Sequence, residues 1–248
     1  MDDRAATIAT TSGKCYFCQG IFSKDEMTIH LERCPQRHQQ APLVVAIPTL
    51  SQQEWPQARY FQLQVEGSYR PAYWLHLEIP TYASLLNLDS FLRYVWLECC
   101  GHLSAFELGP FRYASSPDKE YGLKEKSMRG PRLEIMMSVG NEFTYEYDYG
   151  TTTKLNLKVV GEREGAAIGH QPTICLMARN EPPLIPCEKC RQGKAEASSQ
   201  ICMECIWHGE GWLCDKHARA HKEHADFFLP VVNSPRVGQC GYTGKPLE

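Results

Sequence analysis

Two stretches in the middle of the chain alternate apolar and polar side chains with the two-residue rhythm of a strand, RYFQLQVE at 59 to 66 and AYWLHLEI at 72 to 79. The rhythm then changes. Leu85, Leu88, Leu92 and Val95 recur at three- and four-residue spacing, which predicts a helix running to about Leu97 with Ser84 or Asn87 as its cap. HLSAFEL returns to a strand. EFTYEYDYGTTTKLNLKVV reads as a hairpin turning at Asp148, Tyr149 and Gly150, with Tyr145, Tyr147 and Tyr149 on its packed side. Strands, one helix and more strands predict an α+β domain, an antiparallel sheet packed on a helix.

Breaks in the pattern divide the 248 residues. Gln36 to Pro56 is rich in Gln and Pro, with one apolar patch from Leu43 to Ile47 through which it can dock; it reads as a linker. EPPLIP, at 181 to 186, is a second break, because prolines end regular structure. The expected organisation is a small segment over 1–35, a linker over 36–57, the α+β domain over 58–180 and a C-terminal unit over 181–248. We find no internal repeat and no low-complexity tract.

Both ends carry metal-type chemistry. Cys15 and Cys18 stand two residues apart, and His30 and Cys34 follow with three residues between them. Ser23 and Glu26 fit a capping box, flanked by Phe22 and Met27 as a hydrophobic staple. The helix they start, from about Lys24 to Cys34, puts His30 and Cys34 one turn apart on one face. Met27 and Leu31 then back it against Phe17 or Phe22. With four protein ligands this is a closed, structural zinc site; a redox cysteine pair would open a helix in a βαβ setting that is absent here.

The last quarter holds four couples, Cys187–Cys190, Cys202–Cys205, Cys214–His217 and His221–His224. Four couples make two tetrahedral sites, so three zinc ions are expected in the whole chain. Two wirings fit. In a cross-brace, Cys187, Cys190, Cys214 and His217 share one ion, and Cys202, Cys205, His221 and His224 the other. In a sequential wiring the four leading cysteines form one site. Interleaving closes longer loops and ties the segment into one unit, which favours the cross-brace. His38 and His208 read as loop residues, and Cys240 as a packed thiol or a substitute ligand.

Three resemblances follow from these motifs. The finger spacing and its HLERC ending resemble the CCHC-type ubiquitin-binding fingers of DNA-repair proteins, which implies a ubiquitin-like partner and a contact role for Glu32. The C-terminal spacing resembles a B-box, a cross-braced module used for protein contacts. YFQLQV, then Pro71 and Trp74, then IPTYASLLNLDSFLRYVWLECCGHLSAFEL and EFTYEYDYGTTTKLNLKV resemble the Ri-plasmid open-reading-frame-three-like family, whose members are also labelled transposon passenger proteins. That family often has a basic pair after the tryptophan and an acidic residue with a tryptophan after the hairpin glycine. Here Leu75 and His76, and Thr151 to Thr153, stand instead.

Charge narrows the partners. The formal net charge is −3, and eight thiolates with three zinc ions make it more negative. Cys187 to His224 balances six Lys/Arg against six Asp/Glu, and the first forty residues balance five against five. Neither end looks like a phosphate-binding surface. No apolar run approaches the ~20 residues of a membrane span, and the acidic start lacks an apolar signal segment, so a reducing cytoplasm is expected. There, twelve cysteines read as ligands or core thiols.

The middle offers less. Cys99, Cys100 and His102 stand together after the helix, and a metal there would need a fourth ligand such as Cys175. The plainer reading is a helix end packed by two thiols, with His102 bonded to a backbone carbonyl. Glu142, Glu146 and Asp148 alternate and either coordinate a cation or form the solvated side of the hairpin. Phosphate loops and nucleophile elbows are missing. The leading expectation is a zinc-stabilised, non-catalytic adaptor binding another protein. The alternatives are a nucleic-acid-associated protein linked to mobile elements, and an enzyme using the Cys99, Cys100 and His102 cluster. The enzyme reading expects a depressed cysteine pKa or a metal beyond three zincs.

Overall fold

The computed structural model describes residues 11–37, 44–45, 58–117, 125–165, 174–190 and 196–244. The first segment gives β1 (Ser12–Cys15), β2 (Ile21–Ser23) and α1 (Lys24–Arg33). A two-residue strand, β3 (Val44–Val45), lies within the predicted linker; the rest of that linker from residue 38, His38 included, lies outside the described residues. Next come β4 (Ala58–Gly67), β5 (Trp74–Pro80) and α2 (Leu85–Leu92), which ends in a π-helical turn over Arg93–Leu97. The middle continues with β6 (Ser104–Leu108), β7 (Phe111–Ala114), β8 (Glu125–Ser127), α3 (Leu133–Met136), β9 (Glu142–Tyr147), β10 (Thr153–Gly165) and β11 (Ile174–Asn180). The C-terminal part holds β12 (Gln200–Cys202), β13 (Trp212–Leu213), α4 (Asp215–Ala220) and β14 (Phe228–Pro230).

One sheet runs β2-β1-β11-β5-β4-β10-β9-β6-β7-β8, with β3 also paired to β11. Its pairs are antiparallel except β7 with β8, so the sheet is mixed where sequence alone predicts an antiparallel one. A small sheet, β13-β12-β14, serves the C-terminal part. Among the described residues no helix is long and apolar enough to cross a membrane.

Alternation decides which face meets what. Phe61, Leu63 and Val65 of β4, Leu75, Leu77 and Ile79 of β5, and Leu155, Leu157 and Val159 of β10 belong to one buried cluster with Leu85, Leu88, Phe91, Leu92, Val95 and Trp96 of α2 and its π turn. Each such side chain contributes about 1.5–3 kcal/mol of burial. Ser84 caps α2 in a capping box with Asn87. The opposite face of β5 reads as polar, yet the whole strand is buried. The cause is the first segment, which covers that face: Trp74, Met177 and Ala178 pack with Cys15, Phe17, Met27, Leu31 and Cys34. β1 joins the same sheet by pairing Gly13 with Asn180 and Cys15 with Ala178. Gly13 has to be glycine there, because a Cβ would collide with the Trp74 ring and the Arg179 carbonyl.

Two polar residues of β5 lie under that cover. Glu78 is 1% exposed and is held by Arg37, just past Cys34, at 2.5 Å and by Arg163 of β10 through two hydrogen bonds. Glu78→Gln removes the shared countercharge of a buried guanidinium. We expect it to cost about 3 kcal/mol or more in urea unfolding of the metal-loaded chain, with the first segment loosened. Among the described residues neither ring nitrogen of His76 finds a hydrogen-bond partner, and burial, helped by Lys24, holds its pKa down at about 3. Its neutral form is the folded one. Folding is therefore unpenalised above the ordinary value of about 6.5, and loses up to about 1.4 kcal/mol per pH unit as the pH falls from there. His76→Leu removes that penalty, so its urea midpoint is expected to draw ahead of wild type between pH 6.5 and 5.

Candidate metal centres

Each couple of the sequence finds its partner couple in space. Among the described residues four groups form, each of four Cys and His side chains whose donor atoms lie within 4.8 Å of one another. A tetrahedral zinc with bonds of about 2.0 Å to nitrogen and about 2.3 Å to sulfur would set neighbouring donors roughly 3.3 to 3.8 Å apart.

Cys15, Cys18, His30 and Cys34 form the first group. Helix α1 supplies His30 and its C-cap is Cys34, and its start is fixed by the capping box, in which Ser23 accepts from Glu26 N and Glu26 accepts from Ser23 N. The end of β1 supplies Cys15 and the turn after it Cys18, with Gln19 in the left-handed region at φ 62°. Cys18 Sγ stands 3.3 Å from His30 Nε2. Phe22 stacks on the His30 ring, with centroids 3.9 Å apart, and fixes its plane. Burial raises the free Cys15 thiol to about 12 and lowers the His30 pKa. Both shifts favour neutral side chains until a cation arrives.

The C-terminal couples meet in the interleaved pattern. Cys187, Cys190, Cys214 and His217 form one group, with His217 Nδ1 at 3.3 Å from Cys187 and Cys214 and 3.6 Å from Cys190. Burial opposes ionisation of Cys187, but the backbone N–H groups of Cys214 and Lys189, with His217, bring its thiol down to about 6. Cys202, Cys205, His221 and His224 form the other, with sulfur-to-nitrogen separations of 3.3 to 3.6 Å. Gly211 lets β13 pass close to the Cys202–Cys205 turn: a Cβ there would stand 2.5 Å from Ile206 Cα. Ile201 and Trp212 carry the unit into the main core. His208 stands outside both groups.

The fourth group overturns the expected partner of the middle cluster. Cys99, Cys100 and His102 meet Cys240, whereas Cys175 is buried in β11 against the first segment. The His102 ring meets thiols rather than a backbone carbonyl, 2.9 Å from Cys100 Sγ and 3.1 Å from Cys240 Sγ. Its Nε2 is also the atom nearest Asp148, at 3.5 Å. A nucleophile triad needs the base to face thiol and carboxylate with different nitrogens, so this arrangement is not one. Contact with Cys99, then burial, pushes the exposed Cys100 thiol up to about 12, opposite to an activated nucleophile. Burial opposes ionisation of Cys99, yet a hydrogen bond from Arg236 leaves its pKa below the ordinary thiol value.

Arg236 and Asp148 form a buried ion pair beside this group that sequence reasoning did not single out. Arg236 is fully buried, donates to Asp148 Oδ2 at 2.7 Å and to Thr151 O and Thr153 Oγ1 at 3.1 Å, and sits over the Tyr147 ring. Asp148 is the left-handed residue of the β9–β10 turn, at φ 66°. That conformation breaks the alternation, so Tyr149 is 45% exposed instead of packed beside Tyr145 and Tyr147. The acidic row is not a cation site: Glu142 pairs with Lys158, Glu146 with Arg112 and Lys154, and Asp148 with Arg236. Arg179 and Asn180 clamp the tail, both bonding to Asn233.

A family model matches residues 58–190, from the start of β4 to Cys190, and it describes plasmid pRiA4b ORF-3-like proteins. The chain belongs to this family. The ORF-3-like match spans β4 to β11 and ends on the first C-terminal couple. Comparison with curated proteins returned no match. Among solved structures, a protein of unknown function from Methanosarcina mazei Go1 is similar over 68% of this chain and 88% of its own, at 15% identity and a TM-score of 0.39.

Proposed function

We propose that the protein is a non-catalytic adaptor, stabilised by zinc in its first and C-terminal segments, that binds another protein through those segments. The observation that carries this reading is the surface beside the closed groups. All four donors of each are protein side chains, which leaves no coordination position for a substrate, and large apolar residues stand exposed at their edges. Trp207, two residues after Cys205, is 71% exposed, and Ile29, next to His30, is exposed on the outer face of α1 between Asp25 and Glu32. Aromatic and aliphatic anchors with an acidic rim suit a protein surface and repel phosphate. The α1 face favours a ubiquitin-like partner in particular.

A photo-crosslinking side chain at 29 or 207 of the zinc-loaded full chain tests the reading, with ubiquitin and duplex DNA as probes. Protein adducts that disappear with Ile29→Asp or with chelator support it. Adducts to DNA alone, with affinity falling steeply as salt rises, would move the protein to the nucleic-acid reading.

A further inference from the structure

We propose that Cys99, Cys100, His102 and Cys240 bind a fourth structural metal ion of the zinc class, which pins the C-terminal residues to the central sheet. The inference stands on these side chains alone and is independent of the adaptor reading.

Two segments far apart in sequence, the 98–102 loop and the tail at Cys240, converge to build the group. Arg93, at the end of α2, aims the 98–102 loop: it donates to Glu98 at 3.0 Å and to the His102 carbonyl at 2.7 Å, while Asp89 holds it in place at 2.8 Å. Gly101, at φ 77°, turns the chain so that Cys100 and His102 point the same way. The tail is brought in separately. Ser234 donates to the Trp96 carbonyl at 2.7 Å, Thr153 donates to Gln239 at 2.6 Å, and Arg236 reaches under the hairpin. Cys240 then sits between two glycines' turns in the left-handed region, at φ 45°, a conformation costly for a side chain with a Cβ and retained where the surroundings impose it.

The donor geometry fits one ion. Cys100 Sγ lies 3.6 Å from Cys99 Sγ and 3.7 Å from Cys240 Sγ, close to the sulfur–sulfur edge of a zinc tetrahedron, and His102 Nε2 closes the fourth corner. The S–N edges of 2.9 and 3.1 Å have to lengthen by about half an ångström to reach the roughly 3.5 Å edge of a zinc tetrahedron. Three thiolates and an imidazole are soft and borderline donors, which select zinc over magnesium or calcium. Three thiolates on a divalent ion leave one net negative charge. Arg236 meets it, donating to Cys99 Sγ at 3.4 Å, as an outer-shell partner does. With four protein donors the site is closed, so its role is to hold the tail rather than to turn over a substrate.

The experiment measures metal per chain on the purified full-length protein, and zinc-dependent protection of Cys100, the exposed thiol, from iodoacetamide by peptide mass mapping. Wild type, Cys240→Ser and His102→Ala are compared. We expect wild type to carry one ion more than either variant, and loaded wild-type Cys100 to alkylate at least tenfold more slowly than in the variants or after chelation. Alkylation at one rate with and without zinc, or the same metal content in all three proteins, would overturn the site. Protection of Cys100 with no metal on the finger or C-terminal groups would leave this site standing while removing the zinc basis of the adaptor reading.

Discussion

Cys214→Ser is expected to cost the C-terminal segment both of its metal ions, not one. The reason is the interleaved order. The loop from Cys190 to Cys214 contains Cys202 and Cys205, and the loop from Cys205 to His221 contains Cys214 and His217. Opening the first site frees the chain that presents half of the second. Structural zinc contributes about 10–16 kcal/mol to folding in small modules, as much as the ~5–15 kcal/mol by which a whole domain is stable. Three short strands and a short helix cannot replace it. We therefore expect Ile201 and Trp212 to leave the core, trypsin to cut between 190 and 224, and two equivalents of metal to be lost together under a weak chelator. Loss of a single ion, with the other retained at wild-type affinity, would show that the two sites stand independently.

The second large effect is at Arg236. Arg236→Met leaves Asp148 buried without its cation and strips Thr151, Thr153 and Cys99 of a donor. Removing one partner of a buried pair costs about 3–5 kcal/mol, because the remaining charge cannot recover its water. Asp148→Asn in the same chain is expected to return part of that cost, giving a coupling energy well outside additivity. Acid supplies a second reading. Burial alone would raise the Asp148 pKa, but Arg236 and the N–H groups of Thr151 and Gly150 hold it at about 2. The stability this pair adds is complete above the ordinary carboxylate value of about 4, and is lost as the pH falls from there towards 2. Arg236→Met is expected to lose that stretch of the pH profile, measured by chemical denaturation.

The metal groups were legible because their grammar is local. Cys15–Cys18, the capping box at Ser23 and the four C-terminal couples each announce themselves within a few residues, and α1 forms where its cap and staple place it. The core faces of β4, β5, α2 and β10 were legible for the same reason, since periodicity survives in any window. Long-range pairing was not. Nothing near Gly13 says that it will lie against Asn180, so the cover over the outer face of β5 is not visible in the alternation of that strand. Cys240 gave one signal, its place among turn glycines, but its partners are about 140 residues away. Tyr149 was misplaced because alternation was carried through Asp148, whose left-handed backbone resets it.

Zinc counted on the folded, full-length chain by native mass spectrometry, before and after a strong chelator, tests the central claim that these Cys and His groups are metal sites. The account predicts a compact chain carrying three ions at its terminal groups and a fourth at Cys99, Cys100, His102 and Cys240, with the compact charge states lost as the ions leave. A compact, metal-free chain that a strong chelator leaves unchanged would contradict it.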